Sequence, residues 1–589
     1  MIKVSDYIFE FLREKGVDTA FCVTGGAAAH LLESLRKSRF KVINNYNEQA
    51  CAMAAEAYAR VTRKPALVLV TNGPGSTNLI TGVLGAWQDS VPMFILSGQV
   101  PTHNLLRSEN VKLRQLGVQE SDIISMVAHC TNYCSQIVSS HLVKSELQRA
   151  WISATTNRMG PVWLDIPINI QSENIQPENQ LDFFTANTSN KNDYSKLLHQ
   201  ISISKKPLII AGNGIHLAKA EQKFKNFVRQ SNIPVVATWN AKDIFNSEDE
   251  LYIGNFGLLG ERAANLAVQN CDLLIVIGSR LSVPLTGYDA KKFAPNAKKA
   301  MIDIDSNEML KSTLNIDFTY EADINDFLNV VTVIREKNKW NDVLLSLKSK
   351  YSVFDEAHTR TENHINSFDF MKSLSSKLKK NDIVVTDMGT SFTCTMQSLR
   401  HTGEDRLFTS SGLSSMGYGL PGAIGAFIGN QDARVICISG DGGMQMNIQE
   451  LQTVAYHKMP IKIIVLNNKG YLAISLMQDN LFNGIHFGSD PGSGVDSPDF
   501  TKVAKAYNIN SVRFNTVEEV EENIEQYLNS EEPVLIELNM VRNQLLIPRV
   551  QSRKDENGQI VSGTLDSMFP FLPKEEMEDI NSQIQSCEN

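Results

Sequence analysis

The sequence predicts an α/β fold in which three doubly wound parallel sheets follow one another along the chain. The first observation is length, because 589 residues exceed the roughly 250–300 at which one hydrophobic core stops growing. The second is pattern: three blocks contain short, continuous apolar runs that indicate buried strands, separated by stretches with helical spacing. The predicted units are an N-terminal domain at 1–172, a central domain at 193–340, a C-terminal domain at 366–545 and a tail at 546–589.

Each block is defined by its own apolar runs and by polar stretches at its ends. A stretch rich in Asn, Gln, Ser and Thr at 171–192 predicts a linker after the first block. A charged stretch at 335–364 separates the second block from the third. Self-similarity at a short fixed period is absent, which argues against a solenoid. The most apolar predicted strands are 66–70 and 93–96 in the first block, 207–212 and 271–278 in the second, and 435–439 and 461–466 in the third.

Composition and charge exclude several function classes. The net charge of −9 argues against nucleic acid or an anionic membrane as the main partner. No run approaches the roughly 20 apolar residues of a membrane span, and the N-terminus enters an amphipathic helix without signal-peptide architecture. The eight cysteines are scattered, and Cys130 and Cys134 form the only close pair, so no zinc site is predicted. We expect reduced thiols and a cytoplasmic location.

The strongest chemical signal is a pair of neighbouring strand ends in the third block. Residues 440–443 (Gly-Asp-Gly-Gly) end one predicted strand, a helix is predicted over 444–457, and the next strand ends at Asn467 and Asn468. A right-handed crossover would join two parallel strands and place Asp441 and Asn468 on the same edge of a sheet. A carboxylate and an amide oxygen suit Mg²⁺, which keeps phosphate oxygens for its remaining positions. The alternative is a tight turn followed by a strand-terminal Asn pair.

With Gly470 and Tyr471 just after the paired asparagines, this spacing resembles the cofactor-binding motif of thiamine diphosphate (ThDP) enzymes. The resemblance covers nearly the whole chain and implies that the first domain binds the pyrimidine of the cofactor and the third its diphosphate. It also implies that Asp441, the Asn468 side chain and the Gly470 carbonyl hold Mg²⁺. The residues it implies in cofactor binding are Gly73, Asn78, Gly389, Thr390, Ser391, Met416, Gly440, Gly442, Gly443 and Tyr471.

A second chemical site is predicted in the first block. Glu48 lies at the start of an Ala-rich helix, where a carboxylate can simply complement the helix dipole. The segment 47–60, however, resembles the glutamate-bearing segment of ThDP enzymes, whose glutamate hydrogen-bonds the aminopyrimidine ring and favours the tautomer that activates the cofactor. Related enzymes often have His directly before this glutamate, whereas this chain has Asn47. The role of that histidine is therefore not assigned to Asn47. The loop 71–78 resembles the family's Gly-Pro-Gly loop; the alternative is an ordinary strand-to-helix loop.

Within the family, the chain is most similar to acetolactate (acetohydroxyacid) synthases. The segment 416–425 matches them, and Gln119 corresponds to a glutamine near the substrate carboxylate. Pyruvate-type decarboxylases carry two histidines where this chain has Leu113 and Arg114. Without an acid to protonate the carbanion left after loss of CO₂, attack on a second carbonyl is favoured. The resemblance therefore implies that pyruvate is decarboxylated and its two-carbon unit transferred to a keto acceptor, either pyruvate or a keto-sugar.

Several points stay open at the level of sequence. Gln478 aligns with a Trp that selects the acceptor in anabolic synthases, which predicts a different acceptor. The patterns 278–287 and 302–305 match FAD-binding synthases only in part, so FAD binding is undecided. The tail resembles that of synthase-like enzymes linked to surface sugars. The alternatives are a ThDP-dependent decarboxylase, an oxidase, a cyclic-diketone hydrolase and, last, a non-catalytic scaffold. The family implies a homodimer or homotetramer in which the cofactor spans two subunits.

Overall fold

A computed structural model describes residues 1–106, 111, 113–176, 192–551, 553–554 and 560–588. Most of the predicted linker, at 177–191, and part of the predicted tail, at 552 and 555–559, lie outside the described residues. In this part of the chain, three six-stranded sheets follow one another, and all neighbouring strands within each are parallel. The predicted α/β class with three parallel sheets is therefore confirmed.

The first sheet has the strand order β3-β2-β4-β5-β7-β6, and a short antiparallel pair, β1 with β8, joins the two ends of the domain. Its strands are β1 (Ile2–Lys3), β2 (Thr19–Cys22), β3 (Lys41–Asn44), β4 (Ala66–Val70), β5 (Met93–Gln99), β6 (Tyr133–Gln136), β7 (Pro161–Pro167) and β8 (Asn174–Ile175). Its helices are α1 (Val4–Glu14), α2 (Ala29–Lys37), α3 (Glu48–Thr62), α4 (Pro74–Thr77), α5 (Ile80–Gln88), α6 (Ile123–Val127), α7 (Val143–Thr155) and α8 (Ile168–Ser172).

The central sheet has the order β11-β10-β9-β12-β13-β14, the strand order of dinucleotide-binding folds. Its strands are β9 (Pro207–Ala211), β10 (Val235–Ala237), β11 (Tyr252–Asn255), β12 (Leu273–Ile277), β13 (Lys298–Asp303) and β14 (Phe318–Glu321). Its helices are α9 (Ser195–Ile203), α10 (Gly214–Leu217), α11 (Glu221–Ser231), α12 (Arg262–Asn270), α13 (Val283–Thr286), α14 (Ser306–Met309), α15 (Ile324–Val330) and α16 (Lys339–Lys350).

The third sheet repeats the topology of the first, with the order β16-β15-β17-β18-β20-β19. Its strands are β15 (Ile383–Thr386), β16 (Arg406–Phe408), β17 (Val435–Gly440), β18 (Lys462–Asn467), β19 (Asn510–Phe514) and β20 (Val534–Asn539). Its helices are α17 (Ser367–Ser375), α18 (Thr390–Ser398), α19 (Gly419–Gly429), α20 (Asp441–Met446), α21 (Leu451–Tyr456), α22 (Leu472–Phe482), α23 (Phe500–Ala506) and α24 (Val517–Leu528).

The tail folds back onto the central domain. It contains two short antiparallel pairs, β21 (Arg549–Val550) with β24 (Met568–Phe569) and β22 (Arg553–Lys554) with β23 (Ile560–Val561), and the helix α25 (Lys574–Gln585). The guanidinium of Arg262 donates to the carbonyls of Met568 at 3.1 Å and Pro570 at 2.6 Å, which anchors the segment before α25. None of the helices in the described residues combines the length and apolar character that crossing a bilayer requires.

The first and third domains share one hydrophobic core, built mainly where α3 lies against α19. The two helices touch backbone to backbone: a Cβ on Gly425 would lie 1.9 Å from the carbonyl oxygen of Ala54, so only glycine permits this approach. Beside the contact, Arg60 donates to Glu56 at 2.7 Å and to Asp89 at 2.6 Å, with all three side chains buried.

One predicted helix is wrong. The single helix expected over 444–457 is instead α20, a 3₁₀ turn at Ile448–Glu450 and then α21. The break lies at Asn447, whose φ of −134° is not helical. Its side-chain amide donates to the carbonyl of Gly417 at 2.8 Å, so a contact with a distant loop replaces continuation of the helix. Apolar spacing alone could not reveal this contact.

Candidate active site

The candidate site of the third domain lies at the carboxyl edge of its sheet, where the strand order reverses between β15 and β17. Open α/β sheets bind ligands at such reversal points. Asp441 follows β17 and begins α20, and Asn468 follows β18. These two strands are direct neighbours with Gly440 opposite Leu466, so the structure brings the predicted ligands to the same edge.

Asp441 is fixed by two backbone amides. Its Oδ1 accepts from the N–H of Gly442 at 2.9 Å, and its Oδ2 accepts from the N–H of Gly470 at 2.9 Å. The carboxylate therefore joins the start of α20 to the loop after β18. Burial raises its pKa to about 6, because the charged form loses hydration inside the protein. A cation next to this carboxylate would restore the missing stabilisation of its charge.

Asn467 and Asn468 have different environments although they are adjacent. The Asn467 side chain is fully used: its Nδ2 donates to Glu537 at 2.7 Å, and its Oδ1 accepts from Lys469 and Ser497. The Asn468 side chain is 8% exposed, and its buried Oδ1 has no hydrogen-bond partner. A buried carbonyl oxygen without a donor is costly. Together with Asp441 it forms an oxygen donor set that fits Mg²⁺.

Glycines leave room around this edge. No atom lies within 4 Å of where a Cβ would stand on Gly389 or Gly440, so the backbone there is open to a ligand. Gly389 has a φ of +83°, which favours glycine, and it precedes α18, whose first residues are Thr390 and Ser391. The Ser391 hydroxyl donates to the Met388 carbonyl at 3.0 Å. Backbone N–H groups at the start of a helix can bind an anion.

Four further predicted residues lie at this edge, and three of them, Gly442, Tyr471 and Met416, are in contact. A Cβ on Gly442 would lie 2.2 Å from the ring of Tyr471 and 3.3 Å from the terminal methyl of Met416. A Cβ on Gly443 would lie 2.7 Å from Oδ2 of Asp387. Glycines at 442 and 443 are therefore required by close packing as well as by access to the backbone. The structure groups Met416 and Tyr471 with the predicted metal ligands.

Sequence reasoning missed Asp387, which organises these loops. Its carboxylate accepts from the N–H groups of Met388 at 2.7 Å and Gly417 at 2.9 Å, and from the Ser439 hydroxyl at 3.0 Å. It therefore ties the ends of β15 and β17 to the segment that carries Met416. Burial raises its pKa. One feature of the sequence could have identified Asp387: it follows directly after an apolar strand and lies two residues before Gly389.

The predicted residues of the first domain form a second cluster at the reversal point between β2 and β4. Glu48 begins α3 and is half-buried, and the Asn78 side chain donates to its Oε2 at 2.9 Å. Gly73 has a φ of +60°, and a Cβ there would lie 2.4 Å from the carbonyl oxygen of Gln119. A Cβ on Gly75 would lie 3.6 Å from Oε1 of Glu48. Glu48, Gly73, Asn78 and Gln119 are thus gathered at one place.

Gln478, which aligns with the acceptor-selecting Trp, has its side-chain amide bonded inside the chain. It is buried, its Nε2 donates to the Phe487 carbonyl at 2.9 Å, and its Oε1 accepts from the Ser489 hydroxyl at 2.7 Å. The Ser489 carbonyl in turn accepts from the N–H of Tyr471 at 2.8 Å. The amide is used inside the chain to brace the loop beside the predicted metal site.

The first and third sheets both carry a glycine-lined loop and a carboxylate at the point where the strand order reverses. In the third sheet the carboxylate of Asp441 is accompanied by the unpartnered amide oxygen of Asn468. These features define a class of enzyme. That class comprises α/β enzymes that bind a phosphate-bearing ligand at the carboxyl edges of their parallel sheets.

Comparison with known families agrees with this class. The chain matches the thiamine pyrophosphate enzyme N-terminal TPP binding domain over residues 2–126, the central domain over 194–331 and the C-terminal TPP binding domain over 387–538. It is 30% identical to the acetolactate synthase isozyme 2 large subunit of Escherichia coli, over 91% of this chain and 95% of that protein. It is 31% identical to a probable acetolactate synthase large subunit of Methanocaldococcus jannaschii, over 91% and 92%. The chain belongs to the thiamine pyrophosphate enzymes and resembles their acetolactate synthases.

Proposed function

We propose that this enzyme is a ThDP- and Mg²⁺-dependent carboligase that decarboxylates pyruvate and transfers the two-carbon unit to a keto acceptor. The observation that carries the proposal is the pairing of Asp441 with the orphaned Asn468 oxygen at the reversal point of the third sheet. The names of the curated relatives support the type of reaction. The acceptor is pyruvate or a keto-sugar.

The proposed metal ligands are Asp441, the side chain of Asn468 and the carbonyl of Gly470. Gly470 has a φ of +155°, and a Cβ on it would lie 2.3 Å from the Ser489 carbonyl oxygen. Glycine therefore lets this backbone turn tightly beside Asp441. When bound, ThDP supplies the carbon nucleophile that attacks the keto acid and stabilises the charge left by loss of CO₂.

Glu48 is the proposed catalytic acid-base group. The hydrogen bond from Asn78 occupies its Oε2 and fixes the carboxylate, which leaves Oε1 to meet the aminopyrimidine. Glu48 would exchange a proton with that ring and so set its tautomer. Met416, next to Gly442, would support the cofactor between its two ends, and Gln119 would lie near the substrate carboxylate.

FAD remains a prediction from the sequence pattern. The first matching residue, Gly278, lies at the reversal point of the central sheet, where Gly212 and Gly214 pack against it. A Cβ on Gly212 would lie 2.0 Å from the Gly278 carbonyl oxygen. Just after the neighbouring strand β13, Asp305 accepts from Arg158 at 2.6 Å. A visible absorbance spectrum of the purified enzyme, before and after denaturation, tests for a released flavin.

We also propose a homodimer or homotetramer in which Glu48 of one chain faces Asp441 of the other. The support is a set of apolar side chains that are exposed in the first and third domains, since such surface is typical of an interface. They are Tyr46, Val118, Met126, Met446 and Tyr456. Light scattering measures the mass, and mixing inactive Glu48 and Asp441 variants should restore part of the activity if the site is shared.

A cytoplasmic location stays a prediction. It is compatible with the eight cysteines, each of which is a free thiol.

Product analysis tests the reaction. The enzyme is incubated with ThDP, Mg²⁺ and labelled pyruvate, alone and with a panel of keto acids and keto-sugars, and products are identified by mass spectrometry. Acetolactate from pyruvate alone would assign pyruvate as acceptor, and product only with a keto-sugar would assign the sugar. Free acetaldehyde would indicate a decarboxylase, and electron transfer to a dye an oxidase. Absence of pyruvate consumption with every acceptor would refute the donor.

A further inference from the structure

Glu450 is a fully buried carboxylate that the proposed chemistry does not use. Its exposed fraction is 0%. Four donors surround it: Asn45 Nδ2 at 2.8 Å, the N–H of Tyr46 at 3.0 Å, the N–H of Asn47 at 3.1 Å and the Thr453 hydroxyl at 2.7 Å. Three of these four come from the three residues directly before Glu48.

The position of Glu450 follows from the break in the helix after the metal motif. Asn447 interrupts the helix and donates to the Gly417 carbonyl, in the segment that carries Met416. The chain then makes the 3₁₀ turn that ends at Glu450 and continues as α21. The same short stretch thus contacts the segment that supports the cofactor on one side and the approach to Glu48 on the other.

The contacts explain why a carboxylate is tolerated there. A buried charge without partners is very costly, whereas one that accepts several hydrogen bonds is stable. Glu450 also lies off the N-terminus of α3, where the helix dipole favours a negative charge. Because the N–H groups of Tyr46 and Asn47 both bind one of its oxygens, the carboxylate fixes the point at which α3 begins, and with it the direction of the Glu48 side chain.

We propose that Glu450 is a positioning residue for Glu48. It transmits the placement of the segment after Asp441 to the Glu48 carboxylate of the same chain, which in the proposed dimer activates the cofactor held by the other chain. This inference deepens the proposed function and rests on it for the role of Glu48, while the contact itself is independent of the reaction.

The test is the Glu450→Gln variant of the full-length enzyme, with two measurements that need no pyruvate. In the cofactor-free chain, hydrogen exchange followed by mass spectrometry should show faster exchange in peptides covering 43–50. With ThDP and Mg²⁺ bound, the exchange rate of the proton on the reactive thiazolium carbon, measured by acid quench and NMR, should fall about 10- to 100-fold, as expected for a displaced acid-base group. The affinity for ThDP and the KM for the donor should stay within about twofold.

Matched variants separate positioning from general structural damage. Thr453→Val removes the one donor to Glu450 that lies on its own helical segment and should leave both exchange rates at the wild-type values. Glu450→Asp keeps the charge but is one methylene shorter, so its carbon-proton exchange rate should lie between those of the wild type and Glu450→Gln. If Glu450→Gln does not fold, Glu450→Asp takes its place in the test. Glu48→Gln should abolish carbon-proton exchange with unchanged protection at 43–50.

Wild-type carbon-proton exchange in both Glu450 variants would overturn the inference. So would a loss of ThDP affinity with normal protection at 43–50, because Glu450 would then act through the diphosphate site. If the wild-type enzyme itself fails to accelerate carbon-proton exchange, the proposed function fails, and the protection of 43–50 still decides whether Glu450 holds the loop.

Discussion

Substitution of the two adjacent asparagines by leucine should change stability in opposite directions. Asn467→Leu removes three hydrogen bonds, one of them to the buried Glu537 carboxylate, and leaves their partners unpaired. At about 1 kcal/mol for each neutral bond and more for the charged one, we expect a loss of about 3–5 kcal/mol. Asn468→Leu instead removes a buried oxygen that has no partner in the protein, so the metal-free chain should gain about 1–3 kcal/mol.

In the presence of Mg²⁺ and ThDP, the wild type should become more stable to unfolding than Asn468→Leu. A ligand that binds only the folded state stabilises it by about 2.7 kcal/mol at 100 times its dissociation constant. The wild-type enzyme should show this gain with Mg²⁺ and ThDP together. The Asn468→Leu variant, which lacks one proposed metal ligand, should show much less at the same concentrations.

Urea unfolding of the full-length chain, with and without Mg²⁺ and ThDP, measures both effects. Because a chain of three domains need not unfold in one step, hydrogen exchange in peptides from 435–470 identifies the transition of the third domain. Lower stability of metal-free Asn468→Leu would contradict the orphaned oxygen as the source of the effect. A full gain from Mg²⁺ and ThDP in this variant would refute Asn468 as a metal ligand.

Three further predictions concern catalysis, the interdomain core and pH. Glu48→Gln should abolish turnover while ThDP still binds in calorimetry, and full activity would refute the acid-base role. Arg60→Met leaves the buried Glu56 carboxylate without a cation and Asp89 with only Arg280 at 3.5 Å. The free energy of unfolding should therefore fall by about 3–5 kcal/mol. A change below about 1 kcal/mol would show that water, protonation or Arg280 compensates. Burial lowers the pKa of Lys242 to about 7, so between that pH and about 10 the unfolded chain binds more protons. The free energy of unfolding of the wild type, minus that of Lys242→Met, should therefore rise with pH across this window when both are measured by urea titration. A difference that stays constant with pH would show that the ammonium is not in a low-dielectric interior.

Local pattern was sufficient for the fold and for placing Asp441 and Asn468 on one edge of a sheet. Apolar runs such as 435–439 and 462–467 form buried parallel strands because both of their faces are covered, which leaves a continuous apolar run in the sequence. A crossover between such strands has one hand, so the residues after them meet at one edge. Asp441 and Asn468 could be paired from sequence alone because this rule depends only on the order of strands and helices.

Local pattern was insufficient where a partner lies far away along the chain. Asp387 and Glu450 follow no spacing rule, and the Asn45 side chain bound by Glu450 is 405 residues distant in sequence. The helix predicted over 444–457 ends early for the same reason, since Asn447 bonds to Gly417 instead of continuing the helical pattern. Periodicity reports which face of a helix is apolar but not which distant polar group a side chain will meet.

The sequence by itself determined three parallel α/β sheets and the common sheet edge of Asp441 and Asn468, because strand and helix periodicity and strand order are encoded over short distances. Its short motifs carried the resemblance to ThDP enzymes. Only the tertiary structure decided how the site is held together. It placed Gln478 inside the chain, left the Asn468 oxygen without a donor while satisfying Asn467, and set Glu450 beneath the loop before Glu48. The physical reason is that burial and hydrogen-bond partners depend on which segments pack together, and neighbouring residues of the same type can meet opposite environments.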